Sequence, residues 1–143
     1  MVDFWTREEY FKIKWNDIYL EHECPFCNSE DQKWHTVWEW KNWYILHNIF
    51  PYSWNEQHLM AVPYKHKKYF LELDEDEILE IKSIHQFIKD FYWDSEYFSS
   101  TRETMANRSM EHFHMHFLPW KLQGKFLRNM LMKQGFPIKE DLD

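Results

Sequence analysis

The pattern of hydrophobic and polar positions along the chain predicts a helix followed by short strands. Over residues 3–20, apolar and aromatic side chains recur at near-helical spacing with charges between them, which is typical of an amphipathic helix. In HTVWEWKNWYILHN, aromatic and β-branched residues dominate two arms around Lys41 and Asn42, which predicts two strands joined by a tight turn. The short apolar segment from His58 to Pro63 predicts a further buried strand.

The strongest helical pattern lies in LDEDEILEIKSIHQFIKDFYW. Acidic residues crowd its first turn, where negative charge favours a helix N-terminus. The predicted buried stripe of this helix consists of Ile78, Ile81, Ile84, His85 and Ile88. A strand fragment and a polar loop are predicted in YFSSTRETMANRSM, and a short helix in GKFLRNMLMKQG. This order predicts an α+β fold, with a mostly antiparallel sheet of about five strands and a covering helix.

Composition narrows the class of protein. The 143 residues are enough for one domain with its own core, so we expect a single domain over residues 1–143. The net charge of −7 argues against nucleic acid as a partner, because neutralising phosphates requires a basic face. The N-terminal residues contain no apolar run of the kind that signal peptides and membrane spans require. We therefore expect a cytoplasmic protein with no membrane partner.

Three histidines alternate with apolar residues in EHFHMHFLPW. On a strand, His112, His114 and His116 would share one face and the intervening apolar residues would share the other. On a helix, His114 would lie on the far side from its neighbours, so the strict alternation favours the strand. Three interpretations remain: half-buried structural histidines, a metal held by all three, or one imidazole that attacks phosphorus while others hold the phosphate.

The two cysteines, Cys24 and Cys27, have the C-x-x-C spacing with which two thiolates bind one tetrahedral zinc ion. Such a site requires two further ligands, commonly histidines from elsewhere in the chain. A redox pair is the alternative, but a redox C-x-x-C is expected after a strand and at the start of a helix. Here the pair precedes the predicted strands, and a polar loop follows it.

The segment NRSMEHFHMHFLP resembles the signature of the histidine-triad (HIT) family, in which a strand with His-x-His-x-His supplies the active site. CPFC resembles the zinc-binding cysteine pair of many bacterial members, and NIFPYSWNEQHLMAVPYKH is similar to the strand-turn-strand of the family. YFLELDEDEILEI resembles the start of the helix that follows. The resemblance covers residues 24–120 and implies a HIT-like core there. The predicted helical extension over residues 1–22 lies outside it, as do the C-terminal helix and tail over residues 121–143.

The resemblance implies a role for each matching position. It implies a structural zinc site in the cysteine-bearing branch of the family, formed by Cys24, Cys27, His66 and His112. It also implies that His114 attacks the α-phosphorus of a nucleotide to give a nucleotidyl-histidine intermediate, which water then hydrolyses. The remaining matches are His116 and His58 at the phosphate, Ser109 near the leaving group, and Asn48 near the ribose hydroxyls.

The chain departs from the family just before Ser109. Family members usually carry a Gly-Gln pair there, whereas this chain has Asn107 and Arg108, and we expect Arg108 to hold a phosphate. The resemblance implies a hydrolase or nucleotidyl transferase that acts on a nucleoside phosphoramidate or a dinucleoside polyphosphate. Its partners would be a nucleotide or nucleotide conjugate and, as in many members, a second copy of the chain. The alternative is a non-catalytic nucleotide-binding module whose altered loop has disabled the chemistry.

Overall fold

The computed structural model describes residues 4–6, 8–9, 24–51, 57–104, 110–119 and 125–133. Near the N-terminus, Thr6 and Glu9 form a capping box: the Thr6 hydroxyl accepts the Glu9 backbone N–H, and the Glu9 carboxylate accepts the Thr6 backbone N–H. Residues 4–6 are not helical and residues 8–9 are, so the helix predicted from residue 3 begins later, after its cap. Most of that predicted helix lies outside the described residues.

Five strands form one antiparallel sheet. The strands are β1 (Thr36–Glu39), β2 (Trp43–His47), β3 (Leu59–Pro63), β4 (Phe98–Ser100) and β5 (Met115–Leu118). Their order across the sheet is β1-β2-β3-β5-β4. This architecture confirms the predicted α+β fold, including the hairpin around Lys41 and Asn42. The central strand β3 therefore joins the hairpin to the strand that carries His116.

The sheet is accompanied by the α-helices α1 (Glu75–Tyr92) and α2 (Lys125–Lys133) and by short 3-10 helices at Pro25–Cys27, Lys33–His35 and Phe70–Glu72. Helix α1 begins at a capping box in which Asp74 accepts the Glu77 backbone N–H, and the Glu77 carboxylate accepts the Asp74 backbone N–H at 2.7 Å. The acidic residues therefore lie in the first turn of α1, where the sequence predicted that their negative charge favours the helix N-terminus. None of these helices combines the length and apolar character that crossing a membrane requires.

The buried face of α1 differs from the predicted stripe. Ile84 and Ile88 are buried as predicted, whereas Ile78 is 41% exposed and His85 is exposed. The helix instead buries residues 77, 84, 88 and 92, which fall on one side at 100° per residue. Ile78 and His85 lie at the margin of that side, so the prediction was wrong for these two positions.

Both faces of the sheet are covered, and this arrangement positions the site. On one face, residues of β2, β3 and β5 pack with α1 in a cluster that includes Trp43, Ile45, Phe117, Ile84 and Ile88. The opposite face carries a second cluster, made of Phe26, Tyr44, Leu46, Met60 and Val62. Because Met60 is the register partner of His116, the histidines share this second face.

Candidate active site and metal centre

Residues 112–117, called the triad segment below, direct their side chains alternately to the two sides of the strand, as predicted. Phe113 and Phe117 are fully buried in the cluster against α1, whereas His112, His114 and His116 lie on the opposite side. The paired strand is shorter than predicted, because ladder pairing with β3 begins only at Met115. Before that point, the Pro63 carbonyl oxygen of β3 accepts a side-chain hydrogen bond from His112 Nε2, at 2.7 Å.

A backbone carbonyl determines the tautomer of His114. Its Nδ1 lies 2.8 Å from the carbonyl oxygen of His112, which can only accept, so Nδ1 carries the proton. In the neutral imidazole the lone pair is then on Nε2, so Nε2 is the ring nitrogen whose chemistry suits a nucleophile. The Phe26 ring packs edge-on against His114, with ring centroids 5.3 Å apart, and this contact orients the imidazole.

A directional chain of hydrogen bonds leads to His116. The Phe50 backbone N–H donates to Asn48 Oδ1 at 2.9 Å, which places the Asn48 amide nitrogen 3.3 Å from His58 Nδ1. His58 Nδ1 therefore accepts, and His58 Nε2 donates to His116 Nδ1 at 2.8 Å. His116 Nδ1 is thus the acceptor, which leaves the proton of a neutral His116 on Nε2.

A cavity of about 170 Å³ lies beside these histidines. His114, His116 and Asn48 line it together with apolar side chains such as Leu46 and Met60. His58 is fully buried and acts behind His116. The arrangement therefore provides a nucleophilic nitrogen and a hydrogen-bond donor at the edge of one mostly apolar pocket.

Four side chains from three parts of the chain form a second centre. One ligand atom from each of Cys24, Cys27, His66 and His112 lies within 4.8 Å of all the others. Cys24 Sγ is 3.4 Å from His112 Nδ1, and Cys27 Sγ is 3.2 Å from His66 Nδ1 and 3.5 Å from His112 Nδ1. Metal–ligand bonds of zinc at tetrahedral angles give separations of about 3.5 Å, so this donor set fits zinc.

The hydrogen bond from His112 to Pro63 also supports zinc binding by these four side chains. Because His112 Nε2 donates to the Pro63 carbonyl oxygen, the lone pair of the neutral imidazole is on Nδ1, beside the two sulfur atoms. Burial, with a contribution from the neighbouring Cys24, raises the pKa of the Cys27 thiol to about 11. A bound cation would reverse this effect by stabilising the thiolates.

A protein-family model described as scavenger mRNA decapping enzyme C-term binding matches residues 23–132. The chain belongs to the histidine-triad family. No curated protein matches the chain.

Solved structures of histidine-triad proteins have the same fold. A zinc-bound histidine triad family protein from Mycobacterium smegmatis is 18% identical, with a TM-score of 0.59 over 79% of this chain and 96% of that one. A HIT family hydrolase from Legionella pneumophila is 20% identical, with a TM-score of 0.57 over 72% and 97% of the two chains. The diadenosine triphosphate hydrolase of Plasmodium falciparum is 18% identical, with a TM-score of 0.53 over 71% and 74%.

The histidine-triad fold brings most of the sequence-predicted site residues into two adjoining groups. Asn48, His58, His114 and His116 lie at the cavity or directly behind it, and His112 joins the cysteines and His66. The structure places Asn48 against His58, whereas its predicted contact with ribose stays a prediction. Arg108 and Ser109 lie outside the described residues.

Gln32 and His35 are among the cavity-lining side chains that sequence reasoning missed. His35 lies immediately before β1, and Gln32 lies in the polar loop before it. No spacing connects this pair to the triad along the sequence. Only the pairing of β1 with β2 places the pair beside Asn48, which follows β2.

Proposed function

We propose that this histidine-triad protein is a nucleotide hydrolase or nucleotidyl transferase that acts at the α-phosphate of a nucleoside phosphoramidate or a dinucleoside polyphosphate. The main support is the hydrogen bond from His114 Nδ1 to the His112 carbonyl oxygen, which assigns the lone pair of the imidazole to Nε2. His114 lines the cavity. Two solved structures of similar fold, one named as a HIT family hydrolase and one as a diadenosine triphosphate hydrolase, support the hydrolase class.

The proposed reaction has two steps at phosphorus. His114 Nε2 attacks the α-phosphorus, the bond to the leaving group breaks, and a nucleotidyl-histidine forms. Water then attacks the same phosphorus, the bond to His114 breaks, and a nucleoside monophosphate is released while the proton of the water passes to solvent. His116 donates a hydrogen bond from Nε2 to a phosphoryl oxygen, which stabilises charge in both transition states.

The residues outside the described part of the chain keep their predicted roles in this proposal. Ser109 would contact the leaving group, and Arg108 would pair with a phosphate. A homodimer and a cytoplasmic location also remain predictions. Zinc at Cys24, Cys27, His66 and His112 would be structural, because four protein ligands close a tetrahedral shell and fasten the cysteine loop to the triad segment.

The test is a comparison of the native protein with His114→Ala and His114→Gly on adenylyl and guanylyl phosphoramidates and dinucleoside polyphosphates. We expect both variants to lose at least about 10³-fold in turnover, since they lack the nucleophile. Added imidazole should partly restore His114→Gly, and mass spectrometry of the quenched native enzyme should find a nucleotidyl adduct on the peptide that contains His114.

The exposed His85 provides the control, because His85→Ala should retain native turnover. Full activity of His114→Ala on every accepted substrate would exclude the mechanism. Nucleotide binding by the native protein without turnover of any substrate would favour the non-catalytic binding module instead.

A further inference from the structure

Two residues near the N-terminus, Phe4 and Trp5, pack against the chain where it leaves β2. Both precede the part of the chain that the family model matches. The Phe4 ring meets the His47 ring edge-on, with centroids 5.8 Å apart, and the centroid of the Trp5 ring lies 5.3 Å from that of the Phe50 ring. The Trp5 backbone N–H donates to the Ile49 carbonyl oxygen at 2.7 Å. These N-terminal residues therefore contact a segment that lines the cavity.

The peptide unit between Ile49 and Phe50 joins this contact to the histidines. A trans peptide unit is planar, and its carbonyl oxygen and its N–H point in opposite directions. The oxygen of this unit accepts the Trp5 N–H, and the N–H of the same unit donates to Asn48 Oδ1 at 2.9 Å. Because the unit is rigid, a donor that holds its oxygen also fixes the direction of its N–H. The accepted hydrogen bond polarises the unit as well, which strengthens its N–H as a donor.

A single direction of donation then runs from Trp5 to His116. The Asn48 amide, held at its oxygen by the Phe50 N–H, donates to His58 Nδ1 at 3.3 Å, and His58 Nε2 donates to His116 Nδ1 at 2.8 Å. The opposite tautomers would require the Asn48 amide to turn over, which would set its NH₂ group against the Phe50 N–H, donor against donor. Contacts that hold the peptide unit therefore favour the His116 tautomer with its proton on Nε2.

We propose that Trp5 is a positioning residue of the active site, whose backbone N–H holds the peptide unit after Ile49 in the orientation that selects the tautomer of His116. The ring contacts of Phe4 and Trp5 keep that N–H in place. The effect on turnover rests on the proposed function, in which His116 donates from Nε2 to a phosphoryl oxygen, whereas the effect on the tautomer does not. A segment outside the match to the family model thereby takes part in the reaction.

The experiment replaces the amide N–H of Trp5 by an ester oxygen, which removes the donor and keeps the indole ring. Cys24 makes this possible in the full chain, because its thiol allows a synthetic peptide of residues 1–23 to be ligated to recombinant residues 24–143. The all-amide protein, ligated and folded with zinc in the same way, is the matched control. With ¹⁵N-labelled histidine in the recombinant part, the shifts of the two His116 ring nitrogens report its tautomer.

We expect the ester protein to contain a mixture of His116 tautomers, whereas the control has its proton on Nε2. Its kcat should be about 3- to 10-fold lower with KM within about twofold, as for the loss of one net hydrogen bond. In the Asn48→Ala background, where the relay is already broken, the ester should have no further effect. Trp93→Ala, which removes an indole that is 80% exposed, should keep the native kcat.

Two recombinant variants keep the inference testable if the ester protein does not fold. Trp5→Pro and Trp5→Ala both lose the indole, but only proline lacks the N–H, so only Trp5→Pro should shift the tautomer strongly. A native His116 tautomer in folded ester protein or folded Trp5→Pro would overturn the inference, whatever the kcat. If that result accompanies normal turnover, the proposed function stands alone. If the tautomer shifts but the native protein turns over no conjugate, the positioning role stands and the hydrolase function fails.

Discussion

The Nε2 atom of His58 lies 2.8 Å from the Nδ1 atom of His116, and both side chains are buried. One of the two nitrogens must donate, and the Asn48 amide on the far side of His58 determines which one does. Since Asn48 is itself oriented by the Phe50 backbone N–H, a backbone group ultimately selects the tautomer of His116. Under the proposed function, the donor on His116 is therefore oriented before substrate binds.

Replacement of His58 by Phe should therefore impair catalysis more than binding. The variant keeps an aromatic ring but removes the donor to His116 Nδ1, so His116 no longer has a preferred tautomer. We expect kcat to fall about 10- to 100-fold with a smaller change in KM. Steady-state kinetics on the best phosphoramidate substrate would measure this. His85→Phe, an exposed replacement of the same kind, should behave as native, and an unchanged kcat in His58→Phe would contradict the role of the relay.

Loss of one metal ligand should remove zinc and stability together. Cys27→Ala and His66→Ala each leave three ligands, so we expect sub-stoichiometric zinc by elemental analysis and a melting temperature lower by about 5–10 °C. His85→Ala should keep the native zinc content. Zinc-free native protein, or variants that lose zinc without any change in melting temperature, would contradict a structural metal.

Chelation should separate a structural zinc from a catalytic one. Three of the four proposed ligands lie outside the three triad histidines, and the fourth, His112, has its Nδ1 next to the two sulfurs. We expect a chelator to lower the melting temperature before it lowers the turnover rate at a temperature where the protein stays folded. Immediate loss of activity in fully folded protein would instead favour a metal held by the triad histidines.

Periodicity in the sequence was sufficient to predict the strands and the alternating directions of the side chains around the three histidines, because alternation along a strand is a local property. It was insufficient where burial depends on neighbours in space. Ile78 was predicted to lie in the buried stripe of α1, but in the structure it is exposed and the neighbouring Glu77 is buried instead. The same limit applies to Gln32, since strand pairing alone brings it to the cavity.

Phe113 separates the two histidines that belong to different centres, and its burial should stabilise both. Its ring is fully buried in the cluster against α1, and its backbone N–H donates to the Lys67 carbonyl oxygen, next to His66. Phe113→Ala should lower the free energy of unfolding by about 3–5 kcal/mol through the cavity it leaves. Urea denaturation would measure the change, and Leu71→Ala, at a side chain that is 93% exposed, should stay within about 0.5 kcal/mol of native.

His35 predicts a pH dependence of stability. Burial lowers its pKa below the ordinary 6.5, although the hydrogen bond to the His47 carbonyl oxygen opposes part of this shift. Between the lowered pKa and 6.5, the unfolded chain binds more protons at this position than the folded chain does. The contribution of His35 to stability is therefore complete above pH 6.5 and is lost as the pH falls through that window.

The corresponding measurement is the free energy of unfolding of native protein and of His35→Gln between about pH 5 and pH 7. Glutamine is neutral throughout this range, so the variant should show a shallower rise in stability with pH than the native protein. His85→Gln, at an exposed position, controls for the loss of an imidazole as such. Equal slopes in the native protein and His35→Gln would contradict the lowered pKa of His35.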